Sequence, residues 1–182
     1  MQFSTIDIAL LNWLHNHLIP HSIPVFQFIS DTTTILSIAA VLLVLILAFM
    51  KRSKLMGMQF LMLVIVLLLV ALVSQGLKAV IVRDRPFTTY PYIEKLSSGG
   101  DSSFPSGHTL EAFAMAATVS FMFRRKKIIF PVYIWAILVA YSRMALGVHY
   151  PSDVLAGIMI GTLIGWFVPW IFRRMGIGRI HQ

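Results

Sequence analysis

TTTILSIAAVLLVLILAFM (residues 32–50) and LMGMQFLMLVIVLLLVALVSQGL (55–77), separated by Lys51-Arg52-Ser53-Lys54, decide the fold class. Neither run holds a charge, and a hydrocarbon core about 30 Å thick takes roughly 20 residues of helix to cross. A third such run, Val154–Phe172, lies between Asp153 and Arg173. Two further segments carry one charge each: Thr109–Phe123 has Glu111 near its start, and Ile128–Leu146 has Arg143 near its end. Both read as spans with functional ends. The expectation is an all-α, polytopic membrane bundle in one membrane-embedded domain, residues 1–182, with spans near 32–50, 55–77, 106–123, 128–146 and 152–172.

Composition agrees. Of the 182 residues, 58% are hydrophobic and 12% charged, which excludes an ordinary soluble globule, nearer half apolar and a quarter charged. Disordered chains and disulfide-stapled secreted scaffolds need the opposite balance. With no cysteine there is no disulfide, thiolate metal site or cysteine nucleophile. The net charge of +8 would suggest nucleic acid in a soluble protein, but its distribution gives another cause. Lys51, Arg52 and Lys54 join the first two spans, Arg124, Arg125, Lys126 and Lys127 the third and fourth, and Arg173, Arg174 and Arg179 follow the fifth. Alternate threading brings these clusters to one face, which the positive-inside rule makes cytoplasmic. The charge is topological, and no nucleic-acid partner is expected. The C-terminus falls on the cytoplasmic side, and residues 78–105 and 147–151 on the other.

No Lys or Arg precedes position 51, so the start lacks the basic region of a cleavable signal peptide. Phe3, Ile6, Leu10, Trp13, Leu14 and Leu18 recur at helical spacing, with Asp7, Asn12, His15 and Asn16 elsewhere on the wheel. Residues 1–20, closed by Pro20 and Pro24, read as an amphipathic helix in the outer interface, a sixth span being the alternative.

Apolar spans say nothing about purpose; polar exceptions within them do. Three groups fall on the non-cytoplasmic face: Lys78 with Arg85 and Pro86; Pro105-Ser106-Gly107-His108; and Ser142-Arg143 followed by His149 and Asp153. Lys78 and Arg85 face the same side if the second helix continues through both. Each alone reads equally as a cation snorkelling at the membrane edge. Pro105 and Ser106 suit a helix start, Gly107 admits close approach, and the first-turn amides attract an anion. An ordinary cap would explain Pro and Ser but not His108. His149 and Asp153, four residues apart, allow a carboxylate to reach one imidazole nitrogen and leave the other as nucleophile or base. Asp153 also suits a helix N-terminus. Three cations and a helix start fit a phosphate, with one histidine to attack phosphorus and another to protonate the leaving oxygen.

These residues match a known signature. Lys78-AVIVRD-Arg85-Pro86, Pro105-Ser106-Gly107-His108 and Ser142-Arg143-MALGV-His149-YPS-Asp153 resemble the motifs of the type 2 phosphatidic acid phosphatase superfamily. Every motif position is matched over residues 78–153. The resemblance implies a membrane lipid phosphatase in which His149 attacks phosphorus to form a phosphohistidine and Asp153 orients it. His108 acts as general acid, and water then hydrolyses the phosphoenzyme. Lys78, Arg85 and Arg143, with Ser106 and the Gly107 amide, hold the phosphoryl oxygens. The family needs no metal and no other cofactor, which suits three fixed cations beside a single motif carboxylate. The implied substrate is a lipid phosphate or diphosphate at the outer leaflet of the cell membrane. Undecaprenyl diphosphate is favoured, with phosphatidylglycerophosphate, phosphatidate and lipid A as alternatives, and no obligatory protein partner is implied. A lipid-to-lipid phosphotransferase shares every motif; a non-catalytic binder or transporter would have no need of His108, His149 and Asp153 together.

Two features lie beyond the signature. Glu111, one turn after His108, reads as a modulator of its pKa or a partner for a cation, or simply as an acid in the first turn of a helix. The 87–104 loop, with Tyr90, Tyr92, Glu94, Lys95, Ser97, Ser98, Gly99 and Gly100, reads as a lid over a head group or as a connector.

Overall fold

The computed structural model describes residues 5–17 and 19–176; Phe3, Leu18, Arg179 and the side chain of His15 lie outside the described residues. Among these, every regular element is helical: α1 (Thr5–Asn16), α2 (Ile23–Lys51), α3 (Lys54–Val80), α4 (Pro86–Thr89), α5 (Gly107–Met122), α6 (Lys126–Ala145) and α7 (Pro151–Arg174). A 3-10 turn, Pro20–Ser22, precedes α2.

Helices α2, α3, α6 and α7 are long and apolar enough to cross a membrane. Their outward faces leave Leu42, Ile46, Leu72, Ile137, Leu163 and Trp166 exposed, side chains whose natural surroundings are lipid. The protein is a multi-pass membrane protein. Helix α2 begins at Ile23, nine residues before the expected Thr32. A charge-free run stops at Asp31, but a helix that outreaches the hydrocarbon tolerates an exposed acid, and the added turns bring Ser30 to Arg143.

Helix α5 has 16 residues, or about 24 Å, less than the hydrocarbon core it was expected to cross. It can be short because α2, α3, α6 and α7 all pack against it, so its backbone is sheltered by protein rather than lipid. Ser103, Ser106 and Thr109 at its start are fully buried.

The most extensive helix contact, α5 with α7, is built on small residues. Gly157, Gly161 and Gly165 recur every four residues on one face of α7, and all are buried. A Cβ on Gly157 would lie 2.9 Å from the Ser106 carbonyl oxygen, and one on Gly161 or Gly165 would overlap the carbonyls of Leu110 or Ala114. The two backbones therefore touch, as at small-xxx-small crossings in lipid.

Helix α1, about 18 Å long, packs against α6 and α7. Its inward side is set by Asp7, Leu11 and Leu14, all buried, while Ile6, Leu10 and Trp13 are exposed. This corrects the hydrophobic wheel, which put Asp7 on the polar side. The acid faces the protein because a buried arginine, Arg83, pairs with it.

Candidate active site

The three polar groups meet at one end of the bundle. Lys78 lies in the last turn of α3, which ends at Val80, and residues 81–85 then run without helix to α4. Lys78 and Arg85 are thus not two turns apart on one helix, as the spacing suggested. The residue before a proline avoids the helical region, and Arg85, with φ −79° and ψ 156°, is extended ahead of Pro86. The two cations converge all the same: Lys78 Nζ donates to the Ser102 carbonyl at 2.9 Å and Arg85 Nη2 to the same oxygen at 3.1 Å.

Ser106 is the residue before α5, in extended conformation, and its hydroxyl pairs with Thr109 Oγ1 at 2.9 Å. The first-turn amides of Gly107, His108 and Thr109 are those an α-helix leaves without internal partners. His108 is half-buried there, close enough to Arg143, His149, Arg85 and Lys78 to feel their charges.

Arg143 comes from the last turn of α6, and a tight turn returns the chain to α7. Gly147 permits that turn with φ +69°, and a Cβ there would also press on Ile93 and on the Glu94 carbonyl. His149 follows, 2% exposed, and Pro151 opens α7. Asp153 in the first turn is 0% exposed; its Oδ2 accepts from Tyr150 N at 2.9 Å and from Ser103 Oγ at 2.5 Å. His149 Nδ1 lies 3.7 Å from the same oxygen, and Arg85 Nη1 lies 3.4 Å from Nε2. A guanidinium can only donate, so this contact is a hydrogen bond only in the tautomer with Nε2 unprotonated and the proton on Nδ1, on the carboxylate side, where Nδ1 makes no hydrogen bond among the described residues.

Electrostatics keep the ring in that form. Burial foremost, then the charges of Arg143 and Arg85, lower the pKa of His149 to about 4, against the opposing pull of Asp153. The imidazole is neutral at physiological pH. Burial also lowers the Arg85 pKa, with Asp153 and Asp101 acting the other way, and raises that of the Tyr150 phenol.

The 87–104 loop supplies carbonyls to all three motif cations. Arg143 donates to Ser97 Oγ and to the Ser98 carbonyl, both at 3.1 Å, and also to Ser30 Oγ of α2. Arg85 donates to the carbonyls of Gly100 at 2.5 Å and Val148 at 2.8 Å. The loop is tied down elsewhere by Gln27, which donates to the Leu96 carbonyl at 2.7 Å, and by Leu96 N to the Leu146 carbonyl at 3.3 Å. Arg143 Nε and His149 Nδ1 are both buried without a hydrogen-bond partner among the described residues. Glu111 stands apart. It lies past the first turn of α5 and faces α2, where Thr34 Oγ1 is 3.5 Å from its Oε2.

The arrangement can bind an anionic group with several cations and a helix start, present a neutral imidazole nitrogen to it, and place a second histidine nearby. Sequence reasoning missed Arg83, Asp7 and Ser103. Arg83 touches Asp153, Ser152 and Asp7. The available signals were an extra arginine inside a motif and an acid in an apolar segment, each costly to bury without a partner.

Comparison with known proteins gives the family and the fold. The family model described as the PAP2 superfamily matches residues 59–176, a stretch that holds all three motif groups. A lipid A 4'-phosphatase of Bacteroides thetaiotaomicron is 33% identical over 92 residues, 50% of this chain and 41% of the relative. An undecaprenyl-diphosphatase of Bacillus subtilis is 37% identical over 82 residues, 45% of this chain and 42% of the relative. The matched stretch thus spans less than half the length of these curated relatives. The crystal structure of a PAP2-type phosphatidylglycerolphosphate phosphatase from Bacillus subtilis shares the fold, with a TM-score of 0.82 at 22% identity, covering 94% of this chain and 86% of that one.

Proposed function

Because this chain belongs to the PAP2 superfamily, we propose that it is a membrane lipid phosphatase, removing a terminal phosphate from a lipid phosphate or diphosphate through a phosphohistidine on His149. The observation that carries the reading is the buried imidazole of His149, with Arg85 Nη1 3.4 Å from Nε2 and Asp153 Oδ2 3.7 Å from Nδ1.

Nε2 attacks the terminal phosphorus as its bond to the bridging oxygen breaks, that oxygen leaving on the lipid alcohol or on the lipid monophosphate, and His108 gives it a proton. The phosphorylated ring is then cationic, and Asp153 offsets its charge. Water next attacks phosphorus, His108 takes a proton from it, and phosphate leaves with His149 neutral again. Lys78, Arg85, Arg143, Ser106 and the Gly107 amide bind the phosphoryl oxygens, where fixed donors stabilise charge that builds in the transition state. Glu111 acts only as a modulator, through α2.

The substrate is a lipid, since a site at the ends of spans takes a head group while the chain stays in the bilayer. Relatives are named for lipid A and for undecaprenyl diphosphate, and the latter is our preferred substrate. The positive-inside distribution supports an extracytoplasmic site and a cytoplasmic C-terminus. The chain has no cysteine, so Lys95→Cys, on the exposed loop, should label from outside intact cells; labelling only after permeabilisation inverts the orientation.

The decisive experiment is phosphate release by detergent-purified protein from undecaprenyl diphosphate, phosphatidylglycerophosphate, phosphatidate and lipid A, with chelator present and His149→Ala alongside. Turnover that survives chelator and vanishes in His149→Ala is expected. No release from any lipid by folded protein would defeat the reading and favour a phosphotransferase, binder or transporter.

A further inference from the structure

We propose that Asp7 and Arg83 are positioning residues: α1 fastens Arg83, Arg83 fastens Asp153, and Asp153 thereby keeps the proton of His149 on Nδ1. The inference rests on the phosphohistidine reading above.

The contacts form an unbroken buried chain. Arg83 Nη2 donates to Asp7 Oδ2 at 2.7 Å, and Nη1 donates to Ser152 Oγ at 2.7 Å and to Asp153 Oδ1. Asp7 also accepts from Ser152 N at 2.9 Å and Ser152 Oγ at 2.5 Å. It therefore grips both the guanidinium and the first turn of the helix that carries Asp153. The Arg83 guanidinium lies over the Tyr150 ring, 3.9 Å from its centroid. Asp7, Arg83 and Asp153 are 6%, 8% and 0% exposed.

Burying two carboxylates and a guanidinium costs several kcal/mol per ion in desolvation, so such a triad is a weak device for stability and a better one for fixing geometry. What it fixes is the carboxylate plane. With Oδ1 on Arg83, and Oδ2 on Ser103 Oγ and Tyr150 N, Asp153 cannot rotate. Its Oδ2 stays directed at Nδ1. Without Arg83 one oxygen is released and the carboxylate can turn towards Lys78 and Arg85, whose charges it already feels. The negative charge now fixed 3.7 Å from Nδ1 is then no longer fixed, and the preference for a proton on Nδ1 weakens. The rigid planar fork of arginine, not charge alone, does the holding.

The test uses the full-length protein in detergent, with kcat and KM on a lipid phosphate and 15N spectra of labelled histidines, His149 being assigned by His149→Gln. Arg83→Gln should lower kcat about 100-fold with KM within about threefold, and Arg83→Lys should recover part of the loss; such outer contacts typically contribute 10–100-fold. Asp7→Asn should lower kcat about tenfold. Added to Arg83→Gln it should cost clearly less than its own tenfold, because the part of its effect that passes through Arg83 is already lost. In the spectra, wild type should show the Nδ1-protonated tautomer and both variants a mixture. Unchanged kcat, additive losses, or a tautomer unmoved in the variants would overturn the proposal. Asp7→Asn is isosteric and keeps the test available should Arg83→Gln not fold. If wild type hydrolyses no lipid phosphate, the phosphatase reading fails by itself, and the tautomer still decides whether the clamp acts on His149.

Discussion

Arg85 and His149 meet nitrogen to nitrogen, Nη1 lying 3.4 Å from Nε2, an approach that only a neutral imidazole tolerates. Protonation of Nε2 would set N–H against N–H beside Arg143 as well. For Nε2 to attack, this guanidinium must give up the lone pair and turn its donors to the phosphoryl oxygens. Nucleophile and anion site are therefore one construction, and Asp153 on the far side of the ring completes it.

The pH profile follows from this. The His149 pKa, lowered from 6.5 to about 4, leaves the nucleophile neutral above that value and removes it as pH falls through it. The acid limb of the kcat/KM profile, corrected for substrate ionisation, should lie near pH 4 and fall about tenfold per unit below it, while any alkaline limb reports loss of the proton that His108 must give. An acid limb centred near 6.5 would mean that the imidazole is not desolvated in the working enzyme.

Gly99 is required by Arg85. A Cβ at position 99 would lie 2.7 Å from Arg85 Nη1 and 2.8 Å from Cζ, so Gly99→Ala should push the guanidinium away from His149. We expect kcat/KM to fall about 10- to 100-fold with little change in thermal stability, since a misplaced positioning group commonly costs that much. A loop that moves aside would instead leave kcat/KM untouched.

His108 is assigned to the leaving oxygen, and leaving groups differ in their need of a proton. His108→Asn should cut hydrolysis of a lipid phosphate about 100-fold or more, within the usual range for a general acid. On an activated aryl phosphate the loss should stay under about tenfold. Equal losses on both would assign His108 to binding instead.

Much of this was legible in the sequence because lipid leaves so few options. Uninterrupted apolar runs locate α2, α3 and α7, a run broken only by Arg143 locates α6, and the spacing of histidines, cations and Asp153 identifies the groups that converge. What escaped was non-local. Asp7 and Asp153 reach Arg83 across 76 and 70 positions, and no periodicity links them. The start of α2 escaped because Asp31 ends a charge-free run but not a helix. Helix α5 lies where it was expected, at Gly107–Met122 against residues 106–123, but its enclosure by four other helices could not be read from the apolar run.

The glycines of α7 allow that enclosure to be tested against an internal control. Gly76 of α3 has no heavy atom within 4 Å of an added Cβ, whereas Gly161 would drive one into the Leu110 backbone. Alanine is the better helix former, so Gly76→Ala should raise stability by about 0.5–1 kcal/mol. Gly161→Ala gains the same propensity but must separate α5 from α7, and overpacking of this kind costs about 1–3 kcal/mol. Thermal unfolding in one detergent should therefore move in opposite directions for the two variants. Because the start of α5 carries His108, Gly161→Ala should also lower kcat while Gly76→Ala leaves it unchanged. A stabilising effect at both positions would mean that α5 and α7 do not approach to backbone contact in the detergent-solvated protein.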